Sequence, residues 1–291
     1  MSRVQSVCKR VGDGAAVEAK RASMSESILT KKGKRKNWIQ PPKAILKPVG
    51  RAIAQFQMIQ PGDRILLGLS GGKDSLTLLV VLKHLQRHSP VKFDLAACTI
   101  DPEIPGFDPS PLKAWVEKLE IPYFYESEDL VALADKHMKG NSFCSFCARQ
   151  KRGKLYTVCR REGYNVLALA QHLDDLAESF LMSAFHAGEL RTMKAHYLNN
   201  EEDIRIIRPL VRVRENQTRD FAQAAELPVI PDNCPACYEK PQARAHMKQL
   251  LLAEEQRNSH LYANLWHAMQ PLIADDNHQG AFLDVGAKPE K

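Results

Sequence analysis

The apolar run Arg64-Ile65-Leu66-Leu67-Gly68-Leu69 passes without a gap into Ser70-Gly71-Gly72-Lys73-Asp74-Ser75, and residues 76–85 then carry a helical pattern. A short run of that kind suits a strand buried on both faces, the strand type of a parallel sheet. The alternation recurs downstream: strands are predicted over 94–100, 122–126 and 166–170, and helices over 111–119, 148–162 and 174–185. Strands alternating with helices imply right-handed crossovers, hence an α/β fold: a parallel sheet with helices on both faces. Ile204 to Ile207 is expected to add a short strand and residues 215–225 a helix, with a helical C-terminal region over 243–256 and 261–269. Ahead of the first strand, Ile45, Val49, Ile53 and Phe56 recur at helical spacing, and that helix stops before Pro61-Gly62.

In an open parallel sheet, ligands bind at the carboxyl ends of the strands, and the Ser70–Ser75 loop lies at such an end. Gly71 and Gly72 allow a sharp turn that points consecutive amides at an anion. Ser70 and Ser75 offer hydroxyl donors, and the helix that follows adds the positive end of its dipole. This is a phosphate cradle. It lacks the spacing of a Walker A loop and of the dinucleotide fingerprint. Ser-Gly-Gly is also a common turn; the strand before it, the helix after it and Asp74 within it favour the cradle. Lys73 reads either as a surface residue or as a charge partner for phosphate.

Charge is unevenly placed. Residues 1–50 hold twelve Lys or Arg against three acids, an excess greater than the +7 of the whole chain. Residues 1–40 therefore read as a basic, disordered arm, densest at Lys31-Lys32-Gly33-Lys34-Arg35-Lys36, which suits either a polyanion or plain solvation. A main domain is expected over 41–230, a cysteine-containing loop and C-terminal helices over 231–274, and a loose tail over 275–291. No run of about 18 apolar residues is present, so no spanning helix is expected. Nor does the N-terminus carry the apolar centre of a secretory signal. A cytoplasmic protein without membrane attachment is the expectation.

Of seven cysteines, four form two C-x-x-C pairs, Cys144/Cys147 and Cys234/Cys237. In a reducing compartment such pairs read as metal ligands or redox groups, whereas Cys98 and Cys159 sit in apolar or helical patterns and read as packing residues. On spacing alone, structural zinc held by all four thiolates is the better fit, although the gap over 148–233 is long for a zinc ribbon. A reversible disulfide or persulfide at Cys144/Cys147 is the third reading. His172-Leu173-Asp174-Asp175 follows the fourth strand. Its acids fit a helix cap, or Mg²⁺ binding or substrate positioning level with the phosphate loop.

Taken in order, these segments resemble a known family. The loop matches the S-G-G-x-D-S pyrophosphate loop of the ATP pyrophosphatase (PP-loop) superfamily. The segment Asn141 to Gly153, with Cys144, Cys147, Lys151 and Arg152, resembles the C-S-x-C-x-R-x-x-R-G of the tRNA 2-thiocytidine synthetases (TtcA family). Val49–Ala54, Asp101–Phe107, His172–Asp175 and Ile207-Arg208-Pro209-Leu210 are similar to further segments of that family, and the resemblance covers roughly Lys43 to Leu272. Two departures stand out. Gln171 occupies a position where the family often has Gly, and the second cysteine pair is displaced relative to Pro231.

The resemblance implies an adenine-nucleotide α-hydrolase-like fold and an ATP-dependent tRNA sulfurtransferase. Such an enzyme adenylates a tRNA cytidine (position 32) and replaces its oxygen by sulfur, giving 2-thiocytidine. It further implies a [4Fe–4S] cluster on Cys144, Cys147 and Cys237, with Cys234 in reserve because Cys237 keeps the family's distance to a proline, Pro241. The loop and the surrounding matches turn the preference from zinc to the cluster. ATP is expected at Ser70, Gly71, Gly72, Lys73, Asp74, Ser75, Thr99, Ile100 and His172, with adenine held by backbone near Thr99 and Ile100. Asp74, Lys151, Asp174 and Asp175 are the expected catalytic residues. Arg191 and Lys194 suit tRNA phosphates, or belong to a solvated loop. Expected with them are Mg²⁺, a sulfur donor (a cysteine desulfurase system or sulfide) and a homodimer. Other readings are a uridine thiolase, a nitrogen-donor ligase of the same superfamily, and a non-catalytic zinc-stabilised RNA- or nucleotide-binding protein.

Overall fold

A computed structural model describes residues 38–137, 143–231 and 243–274, apart from the side chain of Cys144. The chain divides into two compact units, Met1–Trp38 and Ile39–Lys291. The basic arm, the tail from 275, and both Cys234 and Cys237 lie outside the described residues.

The elements of the second unit run α1 (Lys43–Gln55), β1 (Arg64–Gly68), α2 (Lys73–His88), β2 (Asp94–Asp101), α3 (Ser110–Lys118), β3 (Tyr123–Ser127), α4 (Leu130–His137) and α5 (Phe143–Glu162). They continue with β4 (Val166–Ala168), α6 (Leu173–Met182), a π-helical turn (Ser183–Ala187), β5 (His196–Leu198), β6 (Arg205–Ile207), α7 (Glu215–Ala224), α8 (Ala243–Arg257) and α9 (Leu261–Ile273). The strands form one sheet in the order β3-β2-β1-β4-β6-β5. Every pairing is parallel except β5 with β6. The α/β sheet expected from the alternation is therefore present, with an antiparallel edge strand added.

Side chains alternate across a strand, and the two faces of this sheet bury different partners. Leu66 of β1, Ala96, Cys98 and Ile100 of β2 and Leu167 of β4 pack with Leu155, Val158 and Cys159 of α5. Ile65 and Leu67, the intervening positions of β1, are fully buried as well. That is why β1 reads as a continuous apolar run and not as an alternating one. Helix α2 packs against β1, β2 and α7, so Leu76 through Leu82 are all buried. At the amino ends of the strands, Asp63 accepts hydrogen bonds from Arg205 and Asn165 while Arg64 N–H donates to Asn165. This polar knot ties the starts of β1, β4 and β6 together, leaving their carboxyl ends to the site.

Two boundaries and two further elements differ from the sequence expectation. Helix α5 begins at Phe143, so the first C-x-x-C lies within its opening turns; buried Phe146 extends the apolar face of the helix back past Ala148. Helix α4 occupies a stretch the sequence leaves unassigned, and β5, three residues long, is too short to show alternation. Helix α6 ends at Met182, where the backbone relaxes into the π turn before Gly188, in the left-handed region at φ 67°. The C-terminal helices sit on the body through aromatic rings: Trp266 of α9 meets Phe56 edge-on at 6.4 Å and lies under the Arg212 guanidinium at 4.2 Å. Among the described residues no helix is long and apolar enough to cross a membrane.

Candidate active site

The phosphate loop starts where β1 ends. Gly71 adopts φ +85°, and an added Cβ there would stand 2.8 Å from Ile230 Cδ1, so both conformation and space demand glycine. Ile230 N–H also donates to the Gly71 carbonyl at 3.0 Å, bracketing the loop from the far side. Ser70 and Ser75 join hydroxyls at 3.2 Å, and Ser75 Oγ donates to the Gly72 carbonyl at 2.9 Å. The serines therefore shape the loop. Gly72 is the N-cap of α2, and no side chain caps that terminus. Its first-turn amides, which have no intrahelical acceptor, are the groups an anion can use.

The N-terminus of α6 is closed by contrast. His172 and Asp175 form a reciprocal capping box: Asp175 N–H donates to His172 Nδ1 at 3.3 Å, and His172 N–H donates to Asp175 Oδ2 at 3.0 Å. His172 is buried, and its Nε2 lies 3.8 Å from Asp74 Oδ2. Asp174 turns away to Arg214, whose guanidinium clasps both its oxygens at 3.1–3.2 Å, and Asp174 Oδ2 accepts a further bond from Glu215 N–H at 2.8 Å. Of the two neighbouring aspartates, then, Asp175 faces the site and Asp174 cements α6 to α7.

Lys73 extends from the loop to Asp74 at 3.0 Å and Glu215 at 3.1 Å. Burial alone would disfavour its charge, but the two carboxylates outweigh that and hold the ammonium above its ordinary value. Thr218 donates its hydroxyl to Asp74. Burial also opposes the charge on Glu215, yet Lys248 and Lys73 hold its carboxyl down at about 2. These groups border a cleft of about 310 Å³ lined by Lys73, Asp74, His172, Asp175, Glu178 and Glu215, with Arg244, Ala245 and Lys248 of α8 on the opposite wall. At its base Glu178 is 6 % exposed, and burial, reinforced by Asp175, pushes its carboxyl up to about 7.

Thr99 and Ile100, the expected adenine position, lie at the end of β2. β1 pairs with β2 only as far as Gly68 opposite Cys98, so Thr99 to Asp101 of β2 run on beyond β1. Thr99 is fully buried and donates its hydroxyl to the Leu69 carbonyl at 2.7 Å, and Ile100 is buried too. Neither residue lines the cleft, and Leu69 N–H donates to the Cys98 carbonyl at 2.8 Å, which sets this end of β2 beside the start of the glycine loop.

The sequence-predicted residues separate into groups. Lys73, Asp74, His172 and Asp175 are brought together around one cleft, whereas Cys147, Lys151, Arg191 and Lys194 do not line it. Positions 144, 147 and 151 fall on one side of α5 by helical spacing. Arg191 is 73 % exposed and pairs with Glu189. Gln171, the departure from the family pattern, accepts a hydrogen bond from Arg208 Nε at 2.9 Å, and Arg208 also donates to the Lys194 carbonyl. Sequence reasoning missed Glu178, Arg214, Glu215, Thr218, Arg244 and Lys248. Glu178 falls three residues beyond Asp175, one turn along the same helix, which is the one signal that pointed to any of them.

A model of the PP-loop ATP-binding domain matches residues 45–253. A tRNA-cytidine(32) 2-sulfurtransferase of Geobacter sulfurreducens is 40 % identical over 228 residues, covering 78 % of this chain and 89 % of the relative. The same-named protein of a Shewanella species is 34 % identical over 271 residues, covering 92 % and 86 %. Among solved structures, a U34-tRNA thiolase of Methanococcus maripaludis with its [4Fe–4S] cluster superimposes with a TM-score of 0.65 at 22 % identity, covering 79 % of this chain and 78 % of the other. The last likeness shows the fold. With the glycine loop, the overhanging β2 and the ordered segment matches, the sequence relatives establish that the chain belongs to the tRNA-cytidine(32) 2-sulfurtransferase family of PP-loop proteins.

Proposed function

We propose that this protein uses ATP to adenylate the C2 oxygen of a cytidine in tRNA, at position 32, and replaces the resulting AMP by sulfur to give 2-thiocytidine. The observation that carries the reading is the uncapped N-terminus of α2 opening, with Lys73, into a polar cleft at the carboxyl end of a parallel sheet. The C2 oxygen of cytidine is a poor leaving group. Attack of that oxygen on the α-phosphorus breaks the α–β bond, and pyrophosphate carries the charge away. Fixed amides of the Gly71–Ser75 turn and the Lys73 ammonium stabilise that charge without having to reorganise. Asp74, held by Thr218 and Lys73, and Asp175, held in its capping box, are the carboxylates at the nucleotide. Among the described residues no three His, Cys, Asp or Glu side chains are grouped to hold a metal alone. Mg²⁺ is therefore assigned to arrive on the phosphates of ATP, its usual mode of binding.

The sulfur step needs a nucleophile at C2. Cys144 and Cys147, an i,i+3 pair in the first turns of α5, fit two thiolate ligands on one side of a helix, at the end where the dipole favours negative sulfur. Cys237, with Cys234 in reserve, is assigned as the third. When bound, a [4Fe–4S] cluster on these residues supplies an iron without a protein ligand that carries sulfide. Lys151, on the same side of α5, is assigned the cation beside the reacting groups, and Arg191 and Lys194 are assigned to tRNA phosphates. A sulfide source, a cytoplasmic setting and a homodimer complete the proposal. Nucleoside analysis of tRNA from cells with and without the protein tests it: 2-thiocytidine should disappear with the gene. Loss of a thiouridine instead would move the substrate, and an unchanged pattern would overturn the reading. Anaerobically purified protein should hold iron and labile sulfide; stoichiometric zinc alone would point to the non-catalytic binding protein.

A further inference from the structure

Two basic side chains face the nucleotide cleft from α8, outside every segment matched by motif. Arg244 and Lys248 are one turn apart on the same side of that helix, and both line the cleft opposite the phosphate loop. Their bonding sets them apart from the structural cations nearby. Arg214 makes five side-chain hydrogen bonds, three to Asp174 and two to Glu255. A guanidinium has five N–H donors; Arg214 shares Nε–H between both Asp174 oxygens and uses Nη1 and Nη2 as well, so most of its capacity holds the fold.

Arg244 has one hydrogen bond among the described residues, to Asp175 Oδ1 at 3.3 Å, and a loose ion pair to Glu178 with Nε and Oε2 3.8 Å apart. Most of its fork is left over. Among the described residues Lys248 makes one hydrogen bond, to Glu215 Oε2 at 2.5 Å, and Glu215 keeps Lys73 as a second partner at 3.1 Å. Both cations are about half exposed, at 47 % and 44 %, so neither is locked by packing. The cleft walls carry four carboxylates, Asp74, Asp175, Glu178 and Glu215, against the cations Lys73, Arg244 and Lys248. A polyphosphate entering that space with its metal needs positive groups opposite the α2 terminus, and Arg244 and Lys248 are the ones with bonding capacity in reserve.

We propose that Arg244 and Lys248 bind the β- and γ-phosphates of ATP, and the pyrophosphate it releases, exchanging their carboxylate partners for phosphate oxygens. The inference rests on the reading that this cleft takes ATP. Phosphate is the better match for the unused fork of Arg244, which accommodates two oxygens at once. Because α8 carries both residues, the phosphates become a bridge between the loop of the main sheet and the C-terminal helices. AMP, which lacks the β and γ groups, makes no use of them.

The test is titration of magnesium pyrophosphate, and separately of AMP, into the full-length protein and into its R244Q, K248M and K248R variants, followed by calorimetry. A charge-assisted bond at a half-exposed site predicts that R244Q and K248M each weaken pyrophosphate about tenfold. AMP affinity stays at the wild-type value, and K248R restores most of the loss. Thermal unfolding within a few degrees of wild type shows that the variants are folded. Wild-type pyrophosphate affinity in R244Q and K248M overturns the assignment. Equal losses for AMP and pyrophosphate also overturn it, since they mean that α8 shapes the cleft without touching phosphate. If the wild-type protein itself binds neither ATP nor pyrophosphate, the nucleotide reading falls, and the inference falls with it.

Discussion

Replacing Gly71 by alanine isolates the loop geometry from everything else in the site. Two costs follow from the structure. At φ +85° an L-residue is strained, by about 1–2 kcal/mol for a left-handed conformation. The new methyl would also meet Ile230 at 2.8 Å from Cδ1, 3.1 Å from Cγ1 and 3.2 Å from Cβ. Two of those atoms belong to the rigid part of a β-branched side chain that is 7 % exposed, so overpacking of about 1–3 kcal/mol is expected. Together G71A should lose about 2–5 kcal/mol of stability, or relieve the strain by moving the loop out of its anion-binding shape.

A double-mutant cycle separates the two costs. I230V removes only Cδ1, at an expense of its own of about 0.5–1.5 kcal/mol. Adding G71A to that background should cost less than adding it to wild type, by a coupling of about 0.5–1 kcal/mol, because the closest clash has gone while the backbone strain persists. Urea denaturation gives the energies, and magnesium pyrophosphate titration reports the loop. The single variant should bind pyrophosphate at least tenfold more weakly at a stability that keeps it folded. A G71A protein that loses less than about 1 kcal/mol and binds pyrophosphate normally would refute both the strained turn and the cradle.

Further perturbations probe the surrounding groups. D174N leaves Arg214 with a weakened partner in a part-buried pair and should cost about 2–4 kcal/mol by denaturant unfolding, whereas E255A, at the more exposed end of the same clasp, should cost less. Glu178 has a carboxyl raised to about 7, so the folded state binds its proton more tightly than the unfolded state. Its contribution is fully present below pH about 4.5 and fades as pH rises through about 7; the drop in melting temperature between pH 5.5 and pH 8 should therefore be smaller in E178Q than in wild type, and an equal drop would remove Glu178 from the titration. C144A should lose iron and thiolation activity while keeping its circular dichroism and melting profile, and retained activity would take that thiol out of the chemistry. Deleting residues 1–36 should weaken tRNA binding most at low salt, as read by filter binding over a salt series.

The parts of this molecule that were legible in its sequence are those encoded by neighbours in the chain. β1 announced itself because both its faces are covered; the glycine loop did so because Gly71 and Gly72 stand between a strand and a helix. The His172–Asp175 box is likewise a local pattern. What escaped was built by distance. Arg214 and Glu255 meet across 41 positions, Thr218 and Asp74 across 144, and Lys248 and Glu215 across 33, and a charged residue on a helix looks the same whether it meets solvent or an ion partner. Asp174 and Asp175 show the limit most clearly. Adjacent and identical in type, they point in different directions, because a helix sends successive side chains about 100° apart, and only the fold decides which one sees the cleft.

The segment Arg208-Pro209-Leu210-Val211-Arg212-Val213-Arg214 shows how the site is kept rigid and still responsive. Arg208, 4 % exposed, reaches Gln171 and the Lys194 carbonyl. Arg212 reaches Gln55 and lies on the Trp266 ring; Arg214 reaches Asp174 and Glu255 and lies on the Tyr262 ring, 3.2 Å from its centroid. One short stretch thereby fixes the turn before α6, the end of α1, and helices α8 and α9, with three arginines that hydrogen-bond and stack within the fold. Fixed anchors are what allow loosely bound groups to be useful. A cation that is to answer a phosphate must sit on an element whose position does not depend on that cation. Helix α8 is held at Glu255 by Arg214, two turns beyond Lys248, so Arg244 and Lys248 are released from a structural duty that would otherwise compete with ligand. If the clasp at Glu255 were the part that moved, D174N and E255A would alter pyrophosphate affinity as strongly as R244Q does; the division of labour requires instead that they lower stability first and affinity little.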